Sequence, residues 1–256
     1  MTGDTWRALY ASEAQGVWSL WVVPALFLAY LAAAAREPAT SLEPRAHRFL
    51  RAYAIVFALE TMLDPFAGGP LLRWLGVADG PLRTIVMVFF VLVGDFRVFL
   101  LVLGIAASAH GAAPALPRLV VEAGRWTLVV PLVAVASHGA LAAVAGPLPA
   151  QSIWLVYELA FVAMALVWRQ RIVPARVPAE RPDVRAYLRA VLSYVLVYYA
   201  LWALADVCIL AADLDAGWAL RIVPNQLYYA LYLPFVWALF VSPRYAVAST
   251  SAQTSR

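Results

Sequence analysis

The 256-residue chain contains no lysine, so all 19 of its basic residues are arginines. Without lysine there is no Schiff base to retinal, pyridoxal phosphate or a carbonyl substrate. The single cysteine, Cys208, excludes an internal disulfide framework and a thiolate-rich metal site. Inside an apolar run it reads as a packed thiol. Charge is scarce as well. Only 13% of residues are charged while 64% are hydrophobic, against about one quarter charged in soluble domains. No long polar block interrupts these 256 residues, so no soluble catalytic or signalling domain is expected within them. A Gly-rich phosphate loop, a GxSxG elbow and an HExxH pair are all missing. So is any arginine run interleaved with aromatics of the kind that grips nucleic acid. The expectation is no cofactor, no metal and no nucleic-acid partner; the net charge of +4 belongs to loops at a membrane surface.

What the chain does have is apolar length. A bilayer core takes about 20 apolar residues per helix, and seven segments qualify, at roughly 16–35, 50–66, 82–106, 119–145, 151–168, 188–212 and 222–241. The second is short, with Asp64-Pro65 ending it and Gly68-Gly69-Pro70 forcing a turn. The predicted fold is an all-α integral membrane protein, a single seven-helix domain over 1–256 with a disordered tail at about 243–256. It is multi-pass and is expected in a bacterial cytoplasmic membrane, with the lipid bilayer as its first partner. Asp4 and Glu13 beside a lone Arg7 make a poor signal-peptide n-region, so the leading segment is expected to stay. Fourteen arginines fall in loops on one side and four on the other, which places the N-terminus outside and the C-terminus inside.

Three pairs of segments match in order. The first opens Val17-Trp18 and the fifth Ile153-Trp154. In the second and sixth, a Tyr-Ala pair precedes a carboxylate, Tyr53 with Glu60 and Tyr199 with Asp206. The third begins Gly80-Pro-Leu-Arg83-Thr-Ile-Val and the seventh Gly217-Trp-Ala-Leu-Arg221-Ile-Val. This suggests a 3+1+3 duplication of halves 16–106 and 151–241, with 119–145 as connector. An odd connector makes the halves parallel. PQ-loop transporters and microbial rhodopsins share such a layout. The Pro-Gln pair of the first is absent at Pro224-Asn225-Gln226, and the retinal lysine of the second is absent altogether.

Ionisable residues deep in a membrane mark functional sites by default. Glu60 and Asp206 are the leading candidates, as catalytic or proton-coupling acids. With about 1.5 Å of rise per residue, Glu60, Asp206, Glu158 and His138 all fall in one layer on the order of 10 Å below the outer surface. Helical spacing adds Tyr53, Phe57 and Asp64 on the second segment, Tyr199 and Trp202 on the sixth, and Asn225, Gln226, Tyr229 and Tyr232 on the seventh. Together these predict an aromatic-walled, acid-lined pocket for a small molecule or lipid-like ligand, open to the outside. Asp95 and Arg97 lie deep in the third segment, about 200° apart around the helix. They are expected to form a gating or structural ion pair with other helices. Asp64, Asp213 and Asp215 also read as interfacial, Glu122 and Arg125 as a local surface pair, and His47 and His110 as loop residues.

Three functions suit this pattern. The first is a small-solute transporter, with or without proton coupling, whose halves rock about the site and kink at Pro24, Pro131, Pro224 and Pro234. The second is an intramembrane enzyme that uses paired carboxyls for acid–base chemistry on a lipid or isoprenoid, with aromatic walls for a cation, as in a cyclase. The third is a receptor-like or partner-binding subunit, in which the chain pairs with itself or the arginine-rich loop at Arg169–Arg189 docks a membrane partner, although contact with anionic lipid headgroups explains that loop more simply.

Overall fold

A computed structural model describes residues 5–34, 44–77, 80–110 and 115–242 of the chain. These form helices and their connections, with no strand among the described residues. A short helix, α1 (Thr5–Ala11), precedes six helices long and apolar enough to cross a membrane. They are α2 (Ala14–Ala33), α3 (Ala46–Trp74), α4 (Pro81–Ser108), α5 (Leu116–Ala145), α6 (Ser152–Arg176) and α7 (Pro182–Ala212). A further continuous helical stretch, α8 (216–241), follows. Its run from Asn225 to Tyr232 is rich in amide and phenol side chains, so it is less apolar than the other six. The expected tail at 243–256 lies outside the described residues.

Local sequence explains where the helices start and stop. α4, α5 and α7 each carry proline in the first turn, where the missing N–H costs no hydrogen bond. α3 ends at Gly76, whose φ of +70° suits glycine. There Val77 N–H reaches back to Leu72 C=O at 3.0 Å. α7 stops at Asp213, the one non-glycine residue with positive φ (48°) among the described residues. α6 is closed by Arg185, which donates to the carbonyls of Pro174 (3.1 Å) and Val177 (2.7 Å). A cation is favourable at that negative helix end.

Each helix packs on its successor in the chain, and α8 closes back on α2 and α3. α4 sits innermost: half (50%) of its most apolar window is buried, against 11% of that of α5. The polarity is inverted relative to a soluble protein. Leu26, Ile85, Leu132, Val135 and Leu159 face outward, while Asp95, Arg97 and Asp206 are fully buried. Such apolar surface suits a lipid environment.

Two expected boundaries are corrected. α3 does not end at Asp64-Pro65. It runs through Pro65 and on to Trp74, because wider, π-type turns at Ala67–Leu71 absorb Gly68-Gly69-Pro70. Widening relieves the clash between a proline ring and the preceding turn. α6 likewise continues past residue 168 through a π-type stretch, Trp168–Ile172, to Arg176. Most of the arginine-rich fifth loop is therefore helix. His47 is not a loop residue either: it lies on α3, its ring 5.4 Å from Trp237.

Candidate functional site

The buried polar residues gather into two networks, each centred on an arginine. The inner one surrounds Arg97 of α4. Its guanidinium donates to Thr61 Oγ1 at 2.8 Å and to the Tyr228 carbonyl at 2.7 Å, and lies 3.7 Å from Glu60 Oε2. It stacks over the rings of Tyr228 (4.1 Å) and Tyr232 (4.9 Å). Tyr53 donates its hydroxyl to the Arg97 carbonyl at 3.0 Å and packs on Phe57. Arg97 thus meets a carboxylate from another helix, as expected. Asp95 does not share in that pair; it accepts the hydroxyls of Tyr157 and Tyr199. Gly94 makes room for the arrangement, since a Cβ there would sit 1.5 Å from the Tyr228 hydroxyl oxygen.

The outer network surrounds Arg221 of α8. Arg221 pairs with Asp206, and its second terminal nitrogen lies 3.7 Å from Glu158 Oε1. Gln151 Nε2 donates to both Asp206 oxygens, at 3.1 and 2.9 Å. Asn225 accepts from Trp202 Nε1 at 2.9 Å and donates to the Tyr10 hydroxyl at 3.4 Å. α1 is drawn in by an unusual cap. The Asp215 carboxylate accepts the first-turn N–H groups of Trp6 (2.8 Å) and Arg7 (3.1 Å) from more than 200 residues away.

Above the inner network and beside the outer one lies a cavity of about 270 Å³, close to the lower end of ligand pockets. Eight of its fourteen lining residues are aromatic: Tyr10, Trp154, Tyr157, Tyr199, Trp202, Trp218, Tyr228 and Tyr229. Glu158 is the only carboxylate among the lining residues, and Arg221 the only base. Glu158 is 4% exposed, and its Oε2 has no hydrogen-bond partner among the described residues.

The expected site residues divide accordingly. Glu158, Tyr199, Trp202, Asn225 and Tyr229 line the cavity. Asp206, Asp95 and Asp64 stand behind the wall, holding Arg221, the Tyr157–Tyr199 pair and Tyr229 (2.9 Å) respectively. Asp64 is only 9% exposed, which corrects its interfacial reading. Asp215 is no free surface acid either, since it caps α1. Glu60, Tyr53, Phe57 and Tyr232 belong to the inner network and do not line the cavity. Gln226 donates to Ser19 Oγ at 2.9 Å, and His138 shares a 2.9 Å hydrogen bond with Ser152; each ties helices together away from the cavity. Glu122 pairs with Arg176 of α6, not with its neighbour Arg125.

The single layer of acids is therefore corrected. Glu60 stands 14 residues before the end of α3, about 21 Å along the axis, because that helix continues past its prolines. Residues missed from sequence include Arg221, Tyr10, Gln151, Tyr157 and Trp218. A signal existed for the first, because Arg221, Asn225, Tyr228 and Tyr232 follow helical spacing on one face. Among the described residues no group of three or more His, Cys, Asp or Glu side chains is placed to hold a metal ion. Comparison with protein-family models, with curated proteins and with solved structures finds no match. The fold and the site define a membrane-type helical protein with buried carboxyls and clustered aromatics.

Proposed function

We propose that this chain is an intramembrane enzyme that protonates a hydrophobic, unsaturated substrate of the isoprenoid or lipid class and shelters the resulting cation against aromatic walls. The reading includes a seven-helix arrangement with α8 as the seventh span, and the N-terminus outside, as the arginine bias favours. The observation that carries it is the cavity itself, with eight aromatic side chains around one carboxyl whose second oxygen has no hydrogen-bond partner among the described residues. A sugar or amino-acid site would be expected to offer more convergent hydrogen-bonding groups. A branched alkene needs none, and its protonation gives a tertiary cation that π faces stabilise.

In this mechanism Glu158 is the general acid. Its O–H bond breaks as a C–H bond forms on the substrate, and the positive charge moves into the ring-lined space. Loss of a different proton to the Glu158 carboxylate restores the acid and releases an isomer or cyclised product. The cycle needs no oxidant, reductant or cofactor. Asp206 acts through Arg221, fixing the guanidinium beside Glu158, and Glu60 positions the Tyr228 wall by way of Arg97.

The test is incubation of the reconstituted protein with a panel of linear prenyl compounds in D2O. The expected product has the substrate's composition apart from one deuterium, and Glu158→Gln lowers its rate by about a hundredfold or more. Absence of deuterium-bearing isomers across the panel, or an undiminished rate in the variant, refutes the proposal. A second reading, a proton-coupled carrier, draws on the π-type stretch Gln226–Leu231 at the cavity, because irregular helix lining a cavity is common in carriers. Solute-driven proton uptake by proteoliposomes would favour it.

A further inference from the structure

From the donors and acceptors of this wall, we propose that the cavity binds organic cations, specifically alkyl- or prenylammonium ions, in preference to neutral or anionic compounds of the same shape. The proposal deepens the reading above and rests on the same cavity, but not on turnover.

The first argument is where the wall's hydrogens go. Tyr157 and Tyr199 give theirs to Asp95, and Tyr229 gives its own to Asp64. Trp202 donates to Asn225, Asn225 to Tyr10, and Gln151 to Asp206. Arg221 is directed at Asp206, with Glu158 and Tyr10 beside it. These wall residues therefore present π faces and oxygen lone pairs to a ligand. Among the described residues the hydroxyl hydrogens of Tyr10 and Tyr228 and the indole N–H groups of Trp154 and Trp218 have no acceptor, so an anion finds neutral donors there, but the one guanidinium among the lining residues, Arg221, is already paired with Asp206. A cation finds a complementary surface.

The second argument is charge. Five carboxyls (Glu60, Asp64, Asp95, Glu158 and Asp206) share this core with two guanidiniums, Arg97 and Arg221. Both guanidiniums already face acids. Apart from Glu158, which bears the proton in the mechanism above and gives it up as a cation enters, the excess is Asp64 and Asp95, which lie immediately behind aromatic rings, and a carboxylate bonded to a phenol makes that ring's face more negative. The third argument is Glu158. It is 4% exposed, is the one carboxyl on the cavity wall, and keeps an oxygen free of any partner among the described residues.

The experiment uses the full chain in phosphatidylcholine nanodiscs, with empty nanodiscs to subtract partitioning. Three probes share one hydrocarbon chain: geranyltrimethylammonium, its neutral tert-butyl carbon isostere, and geranyl diphosphate. Binding is read by quenching of tryptophan fluorescence, since Trp154, Trp202 and Trp218 line the cavity. The expected result is ammonium binding about tenfold or more tighter than the isostere, as a desolvated cation–π site gives. Glu158→Gln should narrow that ratio below about threefold without weakening the neutral probe. Equal or tighter binding of the isostere or the diphosphate by the wild-type protein overturns the inference, and needs no variant to fold. Ammonium preference without deuterium-bearing product keeps this inference and removes the enzymatic reading. Product without ammonium preference does the reverse.

Discussion

Replacing Arg97 with methionine tests whether the inner network is a coupled unit. The substitution keeps an unbranched chain but removes every donor and the charge. Arg97 is 0% exposed and lies 3.7 Å from Glu60 Oε2, where unit charges in a medium of effective permittivity near 20 attract by about 4.5 kcal/mol. Its two hydrogen bonds, to Thr61 Oγ1 and the Tyr228 carbonyl, would each contribute about 1.5–3 kcal/mol as charge-assisted bonds. Much of this sum is offset by the desolvation of the ions, so the loss expected for Arg97→Met is about 3–5 kcal/mol. The diagnostic variant is the double one. Adding Glu60→Gln removes the carboxylate left without a countercharge, and the double variant should recover about 2 kcal/mol relative to simple addition of the two single effects. Denaturant unfolding in mixed micelles, followed by tryptophan fluorescence, gives all four corners of the cycle. A coupling below about 0.5 kcal/mol would mean that Glu60 and Arg97 do not interact as the geometry requires.

Gly94→Ala puts a methyl where the Tyr228 hydroxyl sits, 1.5 Å away. Because that ring is held by Arg97, Tyr198 and Trp202, we expect a loss of about 1–3 kcal/mol in stability and weakened probe binding in the cavity. An unchanged melting temperature would show that Tyr228 is free to move. Asp215→Ala removes the acceptor for the Trp6 and Arg7 amides. Hydrogen exchange of those two amides should quicken, at a local cost of about 0.5–2 kcal/mol, while the global melting temperature stays put; unchanged exchange would mean that α1 is held by other contacts. Gln151→Leu takes both hydrogen bonds from Asp206. It should destabilise the protein by about 1–3 kcal/mol, more than Gln226→Leu, which frees only a serine hydroxyl; the reverse order in thermal melts would refute the ranking.

The membrane class and six of the long helices were legible in the sequence, because apolar length and scarce charge leave few alternatives. Helix ends were less legible. Pro65 and the Gly68-Gly69-Pro70 run read as a stop, yet α3 keeps Pro65 within its α-helical part and passes Gly68-Gly69-Pro70 through π-type turns. Propensity describes an isolated helix, and it cannot report that a packed helix has widened to pass a proline. That single error moved Glu60 into the wrong layer and grouped it with Asp206. The aromatic character of the cavity was legible, since Tyr199, Trp202 and Tyr229 line it with Asn225, but the acid lining expected from sequence reduces to Glu158, because Glu60, Asp64 and Asp206 are not among its lining residues. Tyr10 and Trp218 were not legible, because they belong to the short helix α1 and the start of α8, which pack together. No periodicity within either segment announces that contact.

One part of the site was present in the sequence as simple arithmetic. Two helices joined by a short turn run antiparallel, so residues equally far from the turn lie at equal depth. Asp206 stands seven residues before Asp213 and Arg221 six after Asp215, and the two pair. Glu60 stands 15 residues before Leu75 and Arg97 17 after Gly80, and they too face each other. In both hairpins the acid is on the first helix and the arginine on the second. The local sequence match had aligned Arg221 with Arg83 instead, but Arg83 is exposed at the start of α4. What the two hairpins share is therefore the sense of the pair and not its depth. The shallow pair leaves Glu158 and Arg221 on the cavity wall, while the deep pair places Arg97 beneath the ring of Tyr228. A hydrophobic ligand entering from the α1 end would meet an acid beside it and an arginine-backed aromatic floor below. Under the proposed reading, that asymmetry would let two similar ion pairs serve one site in different ways.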